Sequence, residues 1–307
     1  MTRKLLFFLS LLTQTAFGQA QESMKGDINL MIVSDLGRNG YYDQKPIASL
    51  MGRIAEQTPP DAILALGDIH HYLGIESVDD PLWLTNYELI YDHPELQVEW
   101  NPILGNHEYK GNTKAVVDYS DKSRRWEMPS RYYSKTFKKK DVTMKVVFLD
   151  TPALIDEYII SDTYPDAILD NMEPQLQWLD NELSNTSEDW VIVVGHHPIY
   201  ASTDKDETER TDMQNRVDKI LRKHNVCMYV SGHIHNFQHI RMPNTDIDYI
   251  VNSSGSLSRP VKKTVGTIYC NGEPGFSYIC VSKNQLCLNM INKEGNIIHS
   301  ICRSHNQ

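Results

Sequence analysis

Short apolar runs recur along the chain, separated by longer segments of mixed polarity. Leu30-Met-Ile-Val33, Ala62-Ile-Leu-Ala-Leu66, Val146-Val-Phe-Leu149, Val191-Ile-Val-Val194 and Met228-Tyr-Val230 lack polar alternation, which predicts strands buried on both faces. Between them apolar positions return at helical spacing. Ile47, Leu50, Met51 and Ile54 share one face, as do Leu176, Leu179 and Leu183, and then Val217, Ile220 and Leu221. Strands alternating with helices predict an α/β sheet. From about Phe237 the pattern changes to strand after strand: Asp246 to Val251, Phe276 to Val281, Leu286 to Ile291 and Ile297 to Ile301. Ser282 to Gln285 and Asn292 to Asn296 read as hairpin turns, so this part predicts a second, more antiparallel sheet. No Pro/Gly/Ser-rich linker and no internal repeat divides the halves. The expected fold is α/β (α+β), two sheets flanked by helices, with residues 19–307 as one domain.

The composition, 40% apolar and 23% charged, is that of a globular protein and excludes disordered and collagen-like classes. The first residues change the picture. Arg3 and Lys4 precede the apolar run Leu5 to Leu12, and Ala16-Phe17-Gly18 offers small residues for cleavage before Gln19. This order is that of a secretory signal peptide over residues 1–18, which predicts export to a periplasm, a lumen or the medium. No Cys follows the run, so a lipoprotein is not expected, and no later stretch is apolar for long enough to span a membrane as a helix. The formal charge of −10 becomes −12 when Arg3 and Lys4 leave with the signal. Lys138-Lys139-Lys140, the one short basic run, reads as a hairpin tip. A stable nucleic-acid partner is therefore not expected. An anionic substrate would need local positive charge, which bound metal can supply. The five Cys are odd in number and include no CxxC spacing, which argues against a structural zinc site. Cys280 and Cys287 can face each other across the Lys283-Asn284 turn, as a disulfide or as two buried thiols.

The candidate chemistry lies at the strand ends. Leu30 to Ser34 ends in Asp35, Ala62 to Gly67 in Asp68, Pro102 to Gly105 in Asn106 and His107, Val191 to Gly195 in His196 and His197, and Met228 to Gly232 in His233, with His235 two later. In four of these five runs a Gly precedes the polar residue, which permits a sharp turn and close backbone approach. Ligands of open α/β sheets bind beyond the carboxyl ends of strands, so these side chains can converge. Eight of the twelve His lie in or beside these segments. Carboxylate, carboxamide and imidazole together suit ions such as zinc, iron or manganese. Gly-His-Ile-His at 232–235 is the most specific element, because imidazoles two apart on a loop can face two neighbouring ions.

Asp35, Gly-Asp (67–68), Gly-Asn-His-Glu (105–108), Gly-His-His-Pro (195–198) and Gly-His-Ile-His (232–235), in that order, resemble the calcineurin-like metallophosphoesterases. Leu64-Ala-Leu-Gly-Asp68, Arg125-Trp-Glu-Met-Pro129, Gln177-Trp-Leu179 and Glu188-Asp-Trp-Val191 bring the text closer to the small, tartrate-resistant type of purple acid phosphatase. The similarity runs from about residue 27 to about 302. It implies two β-sheets packed face to face with helices outside, an αββα sandwich. It also implies two metal ions, iron paired with iron, zinc or manganese. Asp35, Asp68, His71 and His235 would hold the first. Asp68 would bridge to the second, held also by Asn106, His196 and His233, with His107 beside the substrate.

Two positions depart from that pattern. The purple enzymes have Tyr three residues after the bridging Asp; here His71 stands there and Tyr72 follows. With His71 as ligand the protein should be colourless or weakly coloured and less biased to ferric iron; the rival placement brings Tyr72 to the metal through a local bulge. Ala201 to Met213 holds none of the His that the family often carries there; contact of Lys205 or Arg210 with phosphate is the alternative, and the favoured reading of its charges is a solvated loop. The expected activity is hydrolysis of phosphate monoesters by direct attack of a metal-bound hydroxide, with Asp68 bridging the ions and His107 protonating the leaving oxygen or contacting phosphate. The expected partner is a small phosphorylated substrate. A phosphodiesterase or nucleotide hydrolase on the same site, and a secreted metal-binding protein without catalysis, are the alternatives.

Overall fold

The computed structural model describes residues 24–167 and 172–305. The expected signal segment, 1–18, lies outside the described residues. Chain order runs β1 (Ile28–Val33), α1 (Gln44–Gln57), β2 (Ala62–Leu66), β3 (Glu99–Ile103), α2 (Thr113–Asp118), β4 (Tyr133–Lys139), β5 (Val142–Phe148), α3 (Asp156–Ile159), α4 (Met172–Ser184), β6 (Trp190–Val194), α5 (Thr208–Met213), α6 (Lys219–Lys223), β7 (Met228–Ser231), β8 (Phe237–Ile240), β9 (Asp248–Val251), β10 (Thr267–Asn271), β11 (Gly275–Val281), β12 (Gln285–Asn292) and β13 (Ile297–Ser304). A π-helical turn, Gln214–Asp218, joins α5 to α6.

The strands form two mixed sheets, one of six in the order β13-β12-β11-β1-β2-β3, the other of seven in the order β10-β8-β9-β7-β6-β5-β4. β1, β2, β7 and β9 are buried at every residue. A strand can be apolar on both sides only where both faces are covered. Here the sheets cover each other's inner faces and helices cover the outer ones. One cluster of buried side chains runs through both sheets and takes in Ile47 and Met51 of α1, Leu179 of α4, and Val217 and Leu221. The helical periodicity in the sequence is thus the inward face of each helix.

β1, β2 and β3 are mutually parallel, as are β5, β6, β7 and β9. Parallel pairing brings carboxyl ends to one edge. There Ser34, after β1, pairs with Ser254, after β9, and Gly255 N donates to Ser34 O at 2.7 Å, which ties the two sheets where the polar strand ends emerge.

The C-terminal strands do not form a sheet of their own. β11 pairs antiparallel with β1, Ile28 opposite Val281, so β11 to β13 extend the first sheet while β8 to β10 extend the second. All seven residues of β11 are buried, which requires a central place between covered faces. Local alternation reports that a segment is a strand; it does not report a partner from the other end of the chain. The two turns form as expected: Ser282 N donates to Gln285 O at 2.8 Å and Asn292 N to Asn296 O at 3.1 Å.

The cysteines pair differently from the expected candidate. Cys287 faces Cys280 on one side and Cys302 on the other, and the disulfide joins Cys287 to Cys302, Cα atoms 4.1 Å apart; Cys280 keeps a buried thiol. The N–H and C=O of a strand residue point to the same side, so Cys287 makes a close, non-hydrogen-bonded pair with one neighbour and a wider, hydrogen-bonded pair with the other. The short Cα separation marks Cys302 as the close one.

Candidate metal centre

Two neighbouring groups of donor atoms form at the shared edge. Asp35, Asp68, His71 and His235 are all buried and bring one donor each within 4.8 Å of one another; His196, His197 and His233 do the same. Asp68 stands between the groups. Its Oδ2 lies 3.3 Å from His71 Nε2, 3.4 Å from His196 Nε2 and 3.9 Å from His107 Nε2. His235 Nε2 is 3.2 Å from Asp35 Oδ1, and His233 Nδ1 is 3.2 Å from His196 Nε2. Asn106 is buried beside them; its neighbour's amide, His107 N, donates to Asp68 Oδ1 at 3.0 Å.

The backbone is bent to deliver these side chains. Asp35, Asp68, His233 and His235 have φ of 51°, 53°, 71° and 62°. Left-handed backbone is unfavourable for residues with a Cβ and persists where the surroundings over-determine it. Glu108, fully buried, is one such restraint. Its carboxylate accepts Asp68 N at 2.9 Å, His70 N at 2.9 Å and Gly105 N at 2.7 Å, binding the turn after β2 to the turn after β3. Burial first, and then Asp68, pushes the Glu108 carboxyl up to about 7. Gly232 is needed for close approach, since a Cβ there would sit 1.7 Å from Ser34 Oγ and 2.6 Å from Asp35 Oδ2.

Hydrogen bonds to carbonyls set the ring orientations. Nδ1–H donates from His71 to Gly37 O at 3.0 Å, from His196 to Leu66 O at 2.7 Å and from His235 to Leu257 O at 2.7 Å. A carbonyl only accepts, so each ring carries a proton at Nδ1 and turns Nε2 inward. His233 is turned the other way, with Nε2 3.0 Å from Glu209 Oε2 and Nδ1 facing inward. Asp35 Oδ1, His71 Nε2 and Asn106 Oδ1 are buried and have no hydrogen-bond partner. Leaving such an atom unsatisfied costs about 1–3 kcal/mol. Cations placed among these donors would satisfy all three, and the donor types suit zinc, iron or manganese. The residues present therefore fit two ions.

The charges agree. Burial acts to raise the Asp68 carboxyl, but His196, His107 and His71 outweigh it and hold it well below the usual range. Burial likewise opposes the His196 cation, yet Asp68 and Asp35 bring that imidazole up to about 9. A metal binding at His196 Nε2 would displace this proton.

The expected donors Asp35, Asp68, His71, Asn106, His196, His233 and His235 all lie at this edge. His107 stands at the rim, its side chain 19% exposed, with Nδ1–H donating to Tyr72 O at 2.7 Å. The rival placement of Tyr72 is not what the structure shows. Tyr72 is 57% exposed and its ring packs under the Arg38 guanidinium at 5.0 Å, whereas His71 is 2% exposed and faces Asp68. His70 is a core residue, packed edge-on against Trp83.

The expectation of a solvated loop at 201–213 holds for Asp204, Asp206 and Glu207, which are exposed, and fails at Glu209 and Arg210. Glu209 and Arg210 are buried, and Glu209 ends a hydrogen-bonded chain. Thr151 Oγ1 meets His197 Nδ1 at 2.8 Å, His197 Nε2 meets Tyr158 OH at 3.0 Å, Tyr158 OH donates to Glu209 Oε1, and Glu209 Oε2 meets His233 Nε2. Both nitrogens of His197 are thereby engaged, so it supports the site without a free donor. Burial acts to raise Glu209, but His233, His197 and Lys205 outweigh it and keep the carboxylate ionised. The sequence held a signal for this: Glu209, Met213, Val217 and Leu221 are spaced by four along one helical face.

The model of the calcineurin-like phosphoesterase family matches residues 28–237. Purple acid phosphatase 4 of Arabidopsis thaliana is 29% identical over 287 residues, covering 89% of this chain and 83% of that protein. Tartrate-resistant acid phosphatase type 5 of Sus scrofa is 28% identical over 251 residues, covering 76% and 73%. Among solved structures, GAP50, the anchor in the inner membrane complex of Plasmodium, has a TM-score of 0.76 at 21% identity and covers 91% of this chain and 89% of its own. Purple acid phosphatase PPD1 from yellow lupin has a TM-score of 0.61 at 14% identity, covering 90% and 53%.

Proposed function

The chain belongs to the calcineurin-like phosphoesterase family, and from this premise we propose that it is an exported phosphohydrolase that cleaves phosphate monoesters at a two-metal centre. Asp35, Asp68, His71 and His235 would hold one ion; Asp68, Asn106, His196 and His233 would hold the other. Bound there, the ions would supply Lewis acidity and an activated water for attack on phosphorus. The chain's own residues do the rest. Asp68 Oδ2 keeps the two sites adjacent. The carbonyl-anchored imidazoles hold their lone pairs in place without reorganisation. His107, tethered through Nδ1 to Tyr72 O, turns Nε2 to the mouth, where it can contact phosphate or protonate the leaving oxygen. The observation that carries this reading is the approach of His71 Nε2 and His196 Nε2 to one carboxylate oxygen, Asp68 Oδ2, with Asp35 Oδ1, His71 Nε2 and Asn106 Oδ1 buried and without hydrogen-bond partners.

Residues 1–18 act as the export signal and 19–307 as one catalytic domain. The Cys287–Cys302 disulfide supports an oxidising destination.

The test is metal content and p-nitrophenyl phosphate turnover on one purified sample, before and after chelation. Two metals per chain with chelator-sensitive turnover are expected. Two metals with no monoesterase activity, but with diester hydrolysis, would move the substrate class. Absence of metal would overturn the centre. His107→Ala should lower kcat by about 10²–10⁴ with both metals retained, and loss of metal in that variant would count against its role at the substrate.

A further inference from the structure

We propose that Tyr72 determines leaving-group specificity: its ring is a platform at the mouth on which a planar aromatic group, carried by the ester oxygen of the substrate, stacks. The proposal rests on the metal-phosphohydrolase reading. It starts from the residue that His71 leaves over. Because His71 stands among the donors, the phenol one position on is free of the centre, yet it is not loose. Tyr72 O accepts His107 Nδ1–H at 2.7 Å, which ties Tyr72 to the residue at the rim. Its ring lies 5.0 Å from the Arg38 guanidinium, which is 6.0 Å from the ring of Tyr42. Arg38 is buried and makes no ion pair among the described residues, so the two tyrosine rings help to offset the burial of its charge.

Arg38 is held in turn. Its N–H and that of Gly40 donate to Gln44 Oε1 at 3.0 and 2.7 Å. Asn39 N donates to Asn86 Oδ1 at 2.7 Å, and Gln44 Nε2 donates to Asn86 O at 2.9 Å. Gln44 and Asn86 are buried. The platform therefore exists before substrate arrives, and stacking on it costs little ordering. Its place fixes what it meets. The His71 ring centroid stands 4.2 Å from that of His107 and 6.2 Å from that of Tyr72. Tyr72 is thus one ring further out than a donor of the centre, beside His107. A phosphate ester held among the donors turns its ester oxygen to His107, and the group on that oxygen runs outward past the same residue. There Tyr42, Tyr72 and Leu73 are all exposed. A flat ring stacking on a tyrosine gains more than its buried area alone, which a saturated group does not.

The experiment uses the metal-loaded full chain as parent, Tyr72→Ala and Tyr72→Phe. Calorimetry gives the affinity for phenethylphosphonate and for its saturated counterpart, cyclohexylethylphosphonate, in which a methylene replaces the ester oxygen. Alongside, kcat/KM is measured for benzyl and cyclohexylmethyl phosphate, and for adenosine monophosphate and ribose phosphate, with metal content and Tm. The parent should favour the phenyl ligand by about 3- to 10-fold, the size of an aromatic pair. Tyr72→Ala should bring that ratio close to one, and Tyr72→Phe should keep it. Both members of a pair share one anchor, so partial loss of metal in a variant lowers both affinities and leaves their ratio readable. The ester pairs separate the sources of the ring. A drop in the benzyl pair marks a ring next to the ester oxygen, a drop in the nucleotide pair marks a base carried beyond a ribose, and either supports the platform. Ratios that stay the same in the parent and Tyr72→Ala for every pair would overturn it. If the parent holds two metals and hydrolyses no ester, the phosphohydrolase reading fails, while the phosphonate ratio still decides for or against Tyr72. If the parent holds no metal, both fail.

Discussion

At the scale of single residues, His71 decides what the first group of donors can hold. Its ring replaces a phenolate with a neutral imidazole, so the group consists of two carboxylates and two imidazoles. With one anionic donor fewer, a trivalent ion is stabilised less relative to a divalent one. The iron-loaded protein should show no strong visible band, and His71→Tyr should gain one on iron loading. A band in the parent that Tyr72→Phe abolishes would return the ligand role to Tyr72. Glu209 acts one bond further out, fixing the His233 tautomer through Nε2. Glu209→Gln should weaken binding of one of the two proposed metals by about 10- to 100-fold, the usual effect of removing such a support. Metal content at limiting free metal checks this, and equal retention of both ions would show that His233 needs no such partner. The burial of Glu209 is not legible in local sequence, because charged residues in a loop are solvated more often than not. It depends on α5 packing back over His197 and Tyr158.

At the scale of elements, the site is made by turns that follow parallel strands. Each turn needs little room, and the glycines supply it. Gly232 sits against Ser34 and Asp35 across the seam between the sheets, so the turn after β7 and the turn after β1 must move together. Gly232→Ala would force them apart. A cost of about 1–3 kcal/mol is expected from overpacking of this kind. Because Asp35 and His233 stand on the two sides of that contact, bound metal should fall in the same variant. Wild-type metal content with an unchanged Tm would show that the turns are freer than the contact implies. This part of the site was legible in the sequence. An apolar run ending in Gly and a donor is a local pattern, and parallel strands collect such ends at one edge.

At the scale of the molecule, the two sheets are joined at their far margin by polar contacts as well as by the core. His299 of β13, in the first sheet, meets His239 of β8, in the second, at 2.9 Å and stacks on Tyr269 of β10. His239 Nε2 meets Asp248 Oδ1 at 2.8 Å, and Arg241 and Arg303 also pair with that carboxylate. Burial, and then His239, pushes the His299 imidazole from 6.5 down to about 4, although Asp248 opposes this. The unfolded chain therefore binds this proton at a higher pH than the folded chain does. The contribution to stability is complete above about 6.5 and is lost as pH falls toward about 4. His299→Phe keeps the stacking surface and removes the titration, so its Tm should fall less steeply over that interval. Parallel Tm curves for parent and variant would remove His299 from the account. The sequence by itself determined most of the strands, though not β4, β8 or β10, together with the helical faces over α1 and α4, the donors at the strand ends and the family pattern they compose, because each is written in local spacing. Tertiary structure alone decided that β11 lies beside β1, that Cys302 rather than Cys280 bonds to Cys287, that Tyr72 faces outward, and that Glu209 reaches His233. Those outcomes depend on which distant segment occupies the neighbouring space. Hydrophobic period says which face is buried, and only the packed chain says against what.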